Sequence, residues 1–120
     1  MKSKENSIIR EKSFAFAVRM VNLYKFLCEE RKEYVLSKQV LRSGTSIGAN
    51  VNESLQAQSK KDFVAKLSIA LKEASETEYW LLLLRETKFI DESAFSSTHQ
   101  DCVEIIKITT AIIKTAKNNQ

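Results

Sequence analysis

Apolar residues recur every three or four positions in four segments of the chain, which is the periodicity of amphipathic helices. The clearest series lies in the third segment and comprises Phe63, Leu67, Ala70, Ala74, Thr77, Leu81 and Leu84. Just before it, Ser59 and Asp62 match a variant of the capping box, in which Asp replaces the usual Glu or Gln. The pattern therefore predicts a helix that begins near Lys60 and buries one long stripe.

The first predicted helix has two apolar stripes side by side. One stripe comprises Phe14, Ala17, Val18, Val21, Tyr24 and Cys28, and the other comprises Phe16, Met20, Leu23 and Leu27. The first stripe suits the core and the second suits a groove or another subunit, although the sequence leaves this choice open. Residues 1–11 have little apolar content, so we expect them to fray and order to begin near Lys12.

Both glycines of the chain lie inside the second predicted helix, which begins at Tyr34 or Ser37 and ends at Gln58. They continue its apolar stripe, which comprises Leu36, Val40, Gly44, Ile47, Val51 and Leu55. Because a glycine in a helix costs about 1 kcal/mol relative to alanine, two of them indicate that a neighbouring group approaches closely. We predict close packing at Gly44, Gly48 and Ala49. A loop near residues 43–46 is the alternative.

The fourth predicted helix follows a short connection that ends at Asp91, a plausible N-cap residue. Its stripe comprises Phe95, Cys102, Ile105, Ile106, Thr109, Ile112, Ile113 and Ala116. The chain contains no proline, and short connections make consecutive helices antiparallel neighbours. The sequence therefore predicts an all-α protein, an antiparallel up-down-up-down four-helix bundle that forms one domain over residues 1–120.

Several polar residues are interspersed with the apolar positions of the second and third helices. Those predicted to be at least partly buried are Arg42, Asn50, Glu53, Glu73 and Glu76. A buried polar group needs a partner, so we expect one glutamate to reach Arg42 or the asparagine-rich end of the second helix. A solvated face with charge pairs within one helix is the alternative.

The chain is mildly basic, with a net charge of +4. Residues 1–34 carry eight Lys or Arg against five Glu, so the excess lies on the first helix and its leader. This balance permits binding to RNA or DNA, and the candidate phosphate contacts are Lys12, Arg19, Lys60, Lys61 and Lys66. Aromatic residues are not interleaved with them, so sequence-specific readout is not expected. The alternative is a scaffold that binds a protein partner and whose lysines only maintain solubility.

The sequence contains no recognisable catalytic, metal-binding or cofactor-binding motif. A di-iron bundle needs two Glu-x-x-His pairs, and the chain has one histidine, His99. Cys28 and Cys102 lie on apolar stripes, where we expect core thiols and no disulfide. The polar start and the absence of an apolar run near ~18 residues give no signal peptide or membrane span. We therefore expect a cytoplasmic protein that is not an enzyme, uses no cofactor and does not enter a membrane.

Two segments resemble a known family: QVLRSGTSIGANVNES at Gln39 to Ser54, and KDFVAKLSIALKEASETEYWLLLL at Lys61 to Leu84. Both are similar to the 23S rRNA intervening-sequence proteins, and the resemblance covers nearly the whole chain. It implies an antiparallel four-helix bundle assembled as a homopentamer. It also implies a distant likeness to the accessory protein of diversity-generating retroelements, a basic pentamer that binds nucleic acid and a reverse transcriptase. The family supplies no catalytic residues.

Overall fold

Four long helices make up most of residues 3–119, the part of the chain described by the structure, which is a computed structural model. The helices are α1 (Lys4–Glu29), α2 (Leu36–Ser54), α3 (Lys60–Glu86) and α4 (Glu92–Asn118). Each helix packs against its neighbours in sequence, and α1 also packs against α4. Within the described residues no contact joins α1 to α3 or α2 to α4, so these two pairs occupy opposite corners.

Neighbouring helices run in opposite directions, as the contacts between them show. Position 43 of α2 meets position 77 of α3, while position 53 meets position 66. Position 12 of α1 meets position 104 of α4, while position 19 meets position 101. Position 78 of α3 meets position 99 of α4, while position 60 meets position 119. The predicted fold, an all-α antiparallel up-down-up-down four-helix bundle, is confirmed.

The helix termini are capped by side chains. Ser59 accepts a hydrogen bond from the Asp62 backbone N–H at 3.0 Å, and Asp91 accepts one from Ala94 at 2.8 Å. At the start of α2 the Glu33 carboxylate accepts three backbone N–H bonds, of 3.2, 3.0 and 2.7 Å, from residues 35, 36 and 37. Burial acts to raise the pKa of Glu33, but these N–H groups outweigh it and lower the pKa below its ordinary value.

The side of α1 that packs into the core is the second of its two apolar stripes and not the Phe14 stripe. Phe16, Met20 and Leu27 are at most 1% exposed, whereas Phe14 is 71% exposed and Val18 47% exposed. The buried stripe extends toward the N-terminus through Ser13 and Ile9, and this extension decides which face packs inward. The structure thus decides a choice that the sequence left open, and the expectation that the Phe14 stripe suits the core is wrong. That stripe lies mainly at the surface.

The helix α1 begins at Lys4, eight residues before the predicted start of order. Ser3 caps it by accepting a hydrogen bond from the Asn6 backbone N–H at 3.1 Å, and Ile9 is 1% exposed. The expected fraying of residues 3–11 is therefore wrong, because one buried isoleucine and a serine cap hold this turn in place. Residues 1 and 2 lie outside the described part of the chain.

The two glycines lie in an uninterrupted helix, so the alternative of a loop at residues 43–46 is wrong. A methyl group added to Gly44 would lie 2.6 Å from Met20 Sδ and closer still to Met20 Cγ. One added to Gly48 would lie 3.1 Å from the Ser13 carbonyl oxygen. Helix α1 therefore approaches α2 at both positions. Ala49 was expected at the same contact, but it is exposed, because it points one step further around the helix.

Candidate nucleic-acid interface

One end of the bundle is basic. The Lys60 ammonium donates a hydrogen bond to the Asn119 carbonyl oxygen, which places the start of α3 beside the end of α4. In an antiparallel bundle the start of α1 lies at this same end. The end of α2 lies there too, where the exposed Glu53 pairs with Lys66. We call the remaining exposed charged residues found there the basic end: Lys4, Glu5, Lys60, Lys61, Asp62, Lys114 and Lys117. Five lysines face two acids, so the basic end carries a net charge of +3.

The opposite end of the bundle is electrically balanced. Its six basic residues are Lys25, Arg31, Lys32, Lys38, Arg85 and Lys88, and its six acids are Glu29, Glu30, Glu33, Glu86, Asp91 and Glu92. The two arginines at this end make contacts within the chain. Arg31 donates to the carbonyl oxygens of Phe89 and Lys88 at 2.7 and 3.0 Å, and the Arg85 guanidinium lies 4.3 Å from the centre of the Phe95 ring. The positive excess is therefore concentrated at the basic end.

The candidate phosphate contacts predicted from the sequence do not form one surface. Lys60 and Lys61 lie at the basic end. Lys12 and Arg19 lie on the seam between α1 and α4, where Lys12 pairs with Glu104 and Arg19 pairs with Asp101 at 2.8 Å. The hydrogen bond and the charge of Glu104 raise the pKa of Lys12.

Lys66 pairs with Glu53 across α2 and α3 at 2.9 Å, and this hydrogen bond raises the pKa of Lys66. The Glu53 side chain is 58% exposed, so the expectation that it is buried is wrong. Its position in the last turn of α2 directs it to the lysine on the neighbouring helix and away from the core. Lys66 is therefore compensated by a carboxylate, unlike Lys61.

Arg42 joins α2 to α3 through two carboxylates. Its guanidinium contacts Glu73 Oε1 at 3.3 Å and also pairs with Glu76, which accepts a further bond from the Trp80 indole N–H at 3.0 Å. Glu73 and Glu76 are partly covered, with side chains 15% and 32% exposed. Arg42 itself is 52% exposed, so its predicted burial is wrong: its long side chain reaches along the surface to the acids. The cluster of Arg42, Glu73 and Glu76 therefore has a net charge of −1.

Asn50 occupies a half-buried position on α2. Its side-chain amide donates to the Ser46 carbonyl oxygen at 2.9 Å and lies 3.2 Å from Ser46 Oγ. These bonds stay within one helix, so Asn50 does not join α2 to another helix through them. The buried polar contact between α2 and α3 involves Ser43 and Thr77 instead, whose hydroxyl oxygens are 2.9 Å apart.

His99 and Cys102 both contact the neighbouring helix α3. His99 Nε2 lies 2.8 Å from Glu78 Oε2, and its ring stacks on Phe95, so it joins α4 to α3. Burial, with smaller contributions from Glu78 and Asp101, raises the pKa of the Cys102 thiol to about 12, which keeps it protonated at neutral pH. Within residues 3–119 no three His, Cys, Asp or Glu side chains are grouped as a metal site would require. No helix in this range is long and apolar enough to cross a membrane.

Among the described residues, the helices α1 and α3 expose large apolar side chains. The surface stripe of α1 borders a groove of about 700 Å³ against α2, whose lining includes Phe14, Ala17, Thr45 and Ala49. On the opposite corner, α3 exposes Ile69, Tyr79 and Leu82 by 42%, 57% and 36%. Single exposed apolar residues are ordinary, but a contiguous stripe along a helix is a candidate interaction surface.

Sequence reasoning missed Lys4, Lys114 and Lys117 as members of the basic end. Their signal was present in the predicted topology, because an antiparallel bundle places the starts of α1 and α3 beside the end of α4. Grouping the lysines by helix end would have found them. Grouping them by sequence segment instead favoured Lys12 and Arg19, whose carboxylate partners lie more than 80 residues away.

Comparison with known proteins identifies relatives of this bundle. The sequence profile described as 23S rRNA-intervening sequence protein matches residues 5–111. A crystal structure of a protein of unknown function from the S23 ribosomal protein family of Bacteroides thetaiotaomicron is 57% identical, with a TM-score of 0.91. The match covers 92% of this chain and 98% of that one. None of the curated proteins compared with this chain is significantly similar to it. The chain therefore belongs to the 23S rRNA-intervening sequence protein family.

Proposed function

We propose that this protein is a cytoplasmic, non-enzymatic homo-oligomer that binds structured RNA through phosphate contacts at the basic end. The observation that carries the proposal is the net charge of +3 on five exposed lysines, none of which pairs with a carboxylate within residues 3–119. Cys28 and Cys102 are both free thiols, which suits a reducing compartment. The pKa of the Cys102 thiol, raised to about 12, argues against a role for this thiol as a nucleophile.

Lysines of this kind favour binding without sequence preference. An ammonium on a flexible stem is a point charge that contacts phosphate without fixing its orientation. Within residues 3–119 the aromatic residue that follows Lys60 and Lys61, Phe63, is only 3% exposed and offers no face on which a base could stack. The expected ligand is therefore a phosphate backbone of suitable shape, and the affinity should depend strongly on salt.

Assembly would raise the affinity of a weakly charged subunit. The exposed stripe of α1 and the apolar residues of α3 are candidate contacts between copies, since burying them removes apolar surface from water. Five copies of a chain with a net charge of +4 would carry +20. An RNA that touches several subunits would then meet several basic ends at once.

The test is a salt titration of binding to an unrelated RNA hairpin and to a single strand. Each phosphate contact contributes about 0.9 to the slope of log affinity against log salt on a duplex, and about 0.7 on a single strand. Changing Lys61→Gln and Lys117→Gln should flatten the slope by up to about 1.4 to 1.8 for each subunit that contacts the RNA. The matched control is Lys25→Gln with Lys38→Gln, which removes the same charge from the balanced end. No affinity at low salt, or equal losses in both variants, would contradict the proposal.

A scaffold that binds a protein partner is the second candidate, and the observation that favours it is the exposed stripe of α1. Phe14 is 71% exposed beside the groove between α1 and α2. If the purified oligomer leaves this stripe exposed and shows no affinity for RNA, the scaffold is favoured.

A further inference from the structure

The seam between α1 and α4 is closed by charged side chains. Arg19 is held by α4 through three acceptors: Asp101 Oδ2 at 2.8 Å, Ser97 Oγ at 2.9 Å and the Ser97 carbonyl oxygen at 3.5 Å. Two turns earlier on α1, Lys12 pairs with Glu104. Below them a cleft of about 280 Å³ reaches Phe16 and Ile105. The seam is therefore a row of ion pairs above an apolar floor.

These four charges cancel one another while remaining accessible to solvent. The side chains of Lys12, Arg19, Asp101 and Glu104 are 44%, 38%, 49% and 47% exposed. Ion pairs at such exposure exchange readily with water and with external ions. The cations are thus accessible to a phosphate, but the two carboxylates leave the seam with no net attraction for one.

We propose that Lys12 and Arg19 form a second, latent phosphate site for nucleic acid, which Glu104 and Asp101 hold closed. The inference rests on the proposed function, because nucleic acid is its ligand, but it concerns a different surface from the basic end. Seven residues separate the two cations, a spacing of about 10 Å along a helix. Each cation has its own carboxylate partner in the closed seam, so the open site would offer up to two phosphate contacts.

The carboxylates act as autoinhibitory groups for an electrostatic reason. A phosphate that binds Arg19 must replace Asp101, which then remains nearby as an unpaired negative charge on the same face of α4. The same holds for Lys12 and Glu104. Asparagine and glutamine at positions 101 and 104 would keep a carbonyl acceptor at each contact and remove the repulsion. Loss of the two negative charges on α4 is therefore sufficient to open the site, and α1 does not need to move.

The experiment compares the full-length Asp101→Asn, Glu104→Gln variant with the wild-type protein on the same RNA hairpin and single strand. We expect tighter binding at 50 mM salt and a slope steeper by up to about 1.4 to 1.8 for each subunit that contacts the RNA, from two added contacts. For one such subunit the gain should accordingly shrink by up to roughly 7- to 12-fold between 50 and 200 mM salt. The matched control is Glu29→Gln with Glu30→Gln, which makes the same change in net charge at the balanced end.

Four outcomes decide the matter, with circular dichroism and light scattering used to show that fold and assembly are kept. A gain confined to the variant at positions 101 and 104, and removed by adding Lys12→Gln and Arg19→Gln, supports the latent site. Equal gains in the variant and the control overturn it, because net charge alone then explains the effect. Wild-type binding with no gain overturns the latent site and leaves the basic end standing, whereas no binding by any variant refutes both.

Discussion

Replacing Gly44 by alanine tests the contact between α1 and α2 directly. The added methyl group would lie 2.6 Å from Met20 Sδ and 3.1 Å from Met20 Cβ. Met20 is fully buried, and the crowded atoms include the base of its side chain, so a shift of its tip alone does not relieve the contact. Met20 must change its rotamer or α1 must move.

Two opposing effects set the magnitude of the change. Alanine is favoured over glycine by about 1 kcal/mol in a helix interior, while overpacking a core costs about 1–3 kcal/mol. Gly44→Ala should therefore change stability by between about 0 and 2 kcal/mol in the destabilising direction. In a Met20→Ala background the obstruction is gone, and the same substitution should stabilise by about 1 kcal/mol. The coupling between the two positions is then about 1–3 kcal/mol.

The assay is a double-mutant cycle of denaturant unfolding at one fixed protein concentration, since assembly would make the midpoint depend on concentration. Met20→Ala alone should cost about 2–5 kcal/mol. Gly48→Ala is the comparison, because its methyl group would meet the Ser13 carbonyl oxygen at 3.1 Å and needs a shift of only a few tenths of an ångström. If Gly44→Ala stabilises both backgrounds equally, the close approach of Met20 is refuted.

Further predictions concern capping, buried hydroxyls and assembly. Because the folded-state pKa of Glu33 is lowered, its stabilising contribution is complete above its ordinary value of 4.5 and is lost as the pH falls below it. Glu33→Gln should therefore flatten this part of a plot of stability against pH. Thr77→Val should cost about 1–2 kcal/mol in denaturant unfolding, because it removes the bond to Ser43. Thr109→Val should stabilise by about 1–3 kcal/mol, since this buried hydroxyl has no partner within residues 3–119. Phe14→Ser should reduce the mass measured by light scattering without loss of helix content, if the α1 stripe joins subunits.

The elements of the fold were predictable because their signals are local. All seven predicted stripe residues of α3 are buried, and Ser59 and Asp91 cap the helices where the sequence places them. A buried stripe must repeat with the helical period, and a cap must precede its helix, so neither depends on what lies across the bundle. The glycines in α2 were also informative, because glycine is unfavourable inside a helix unless a neighbouring group packs closely against it.

The choice between the two stripes of α1 depended on information that is not local. Both stripes have helical spacing, and the exposed one contains a phenylalanine and two valines. What distinguishes the buried stripe is its continuation through Ser13 and Ile9, opposite the small residues of α2. Ser13 is polar and therefore interrupts the apolar stripe of α1 in the sequence, but its small side chain permits the close approach of Gly48. Volume across the interface, and not hydrophobicity along the helix, selected the core face.

The charges of the candidate interface show the same division between local and distant information. Lysines can be counted in a sequence, but their compensation depends on acids brought close by the fold, as Glu104 is to Lys12 and Asp101 to Arg19. After compensation, the positive excess lies at one end of the bundle, while the exposed apolar residues lie along its sides on the opposite corners α1 and α3. Assembly through the sides would leave the ends free. In a closed ring whose helices run along the symmetry axis, every basic end would face the same direction, and five of them at +3 each would give one surface a charge of +15. The proposed assembly and the proposed RNA binding at the basic ends are therefore compatible, because the surfaces that would join the subunits are not the basic ends that would meet RNA.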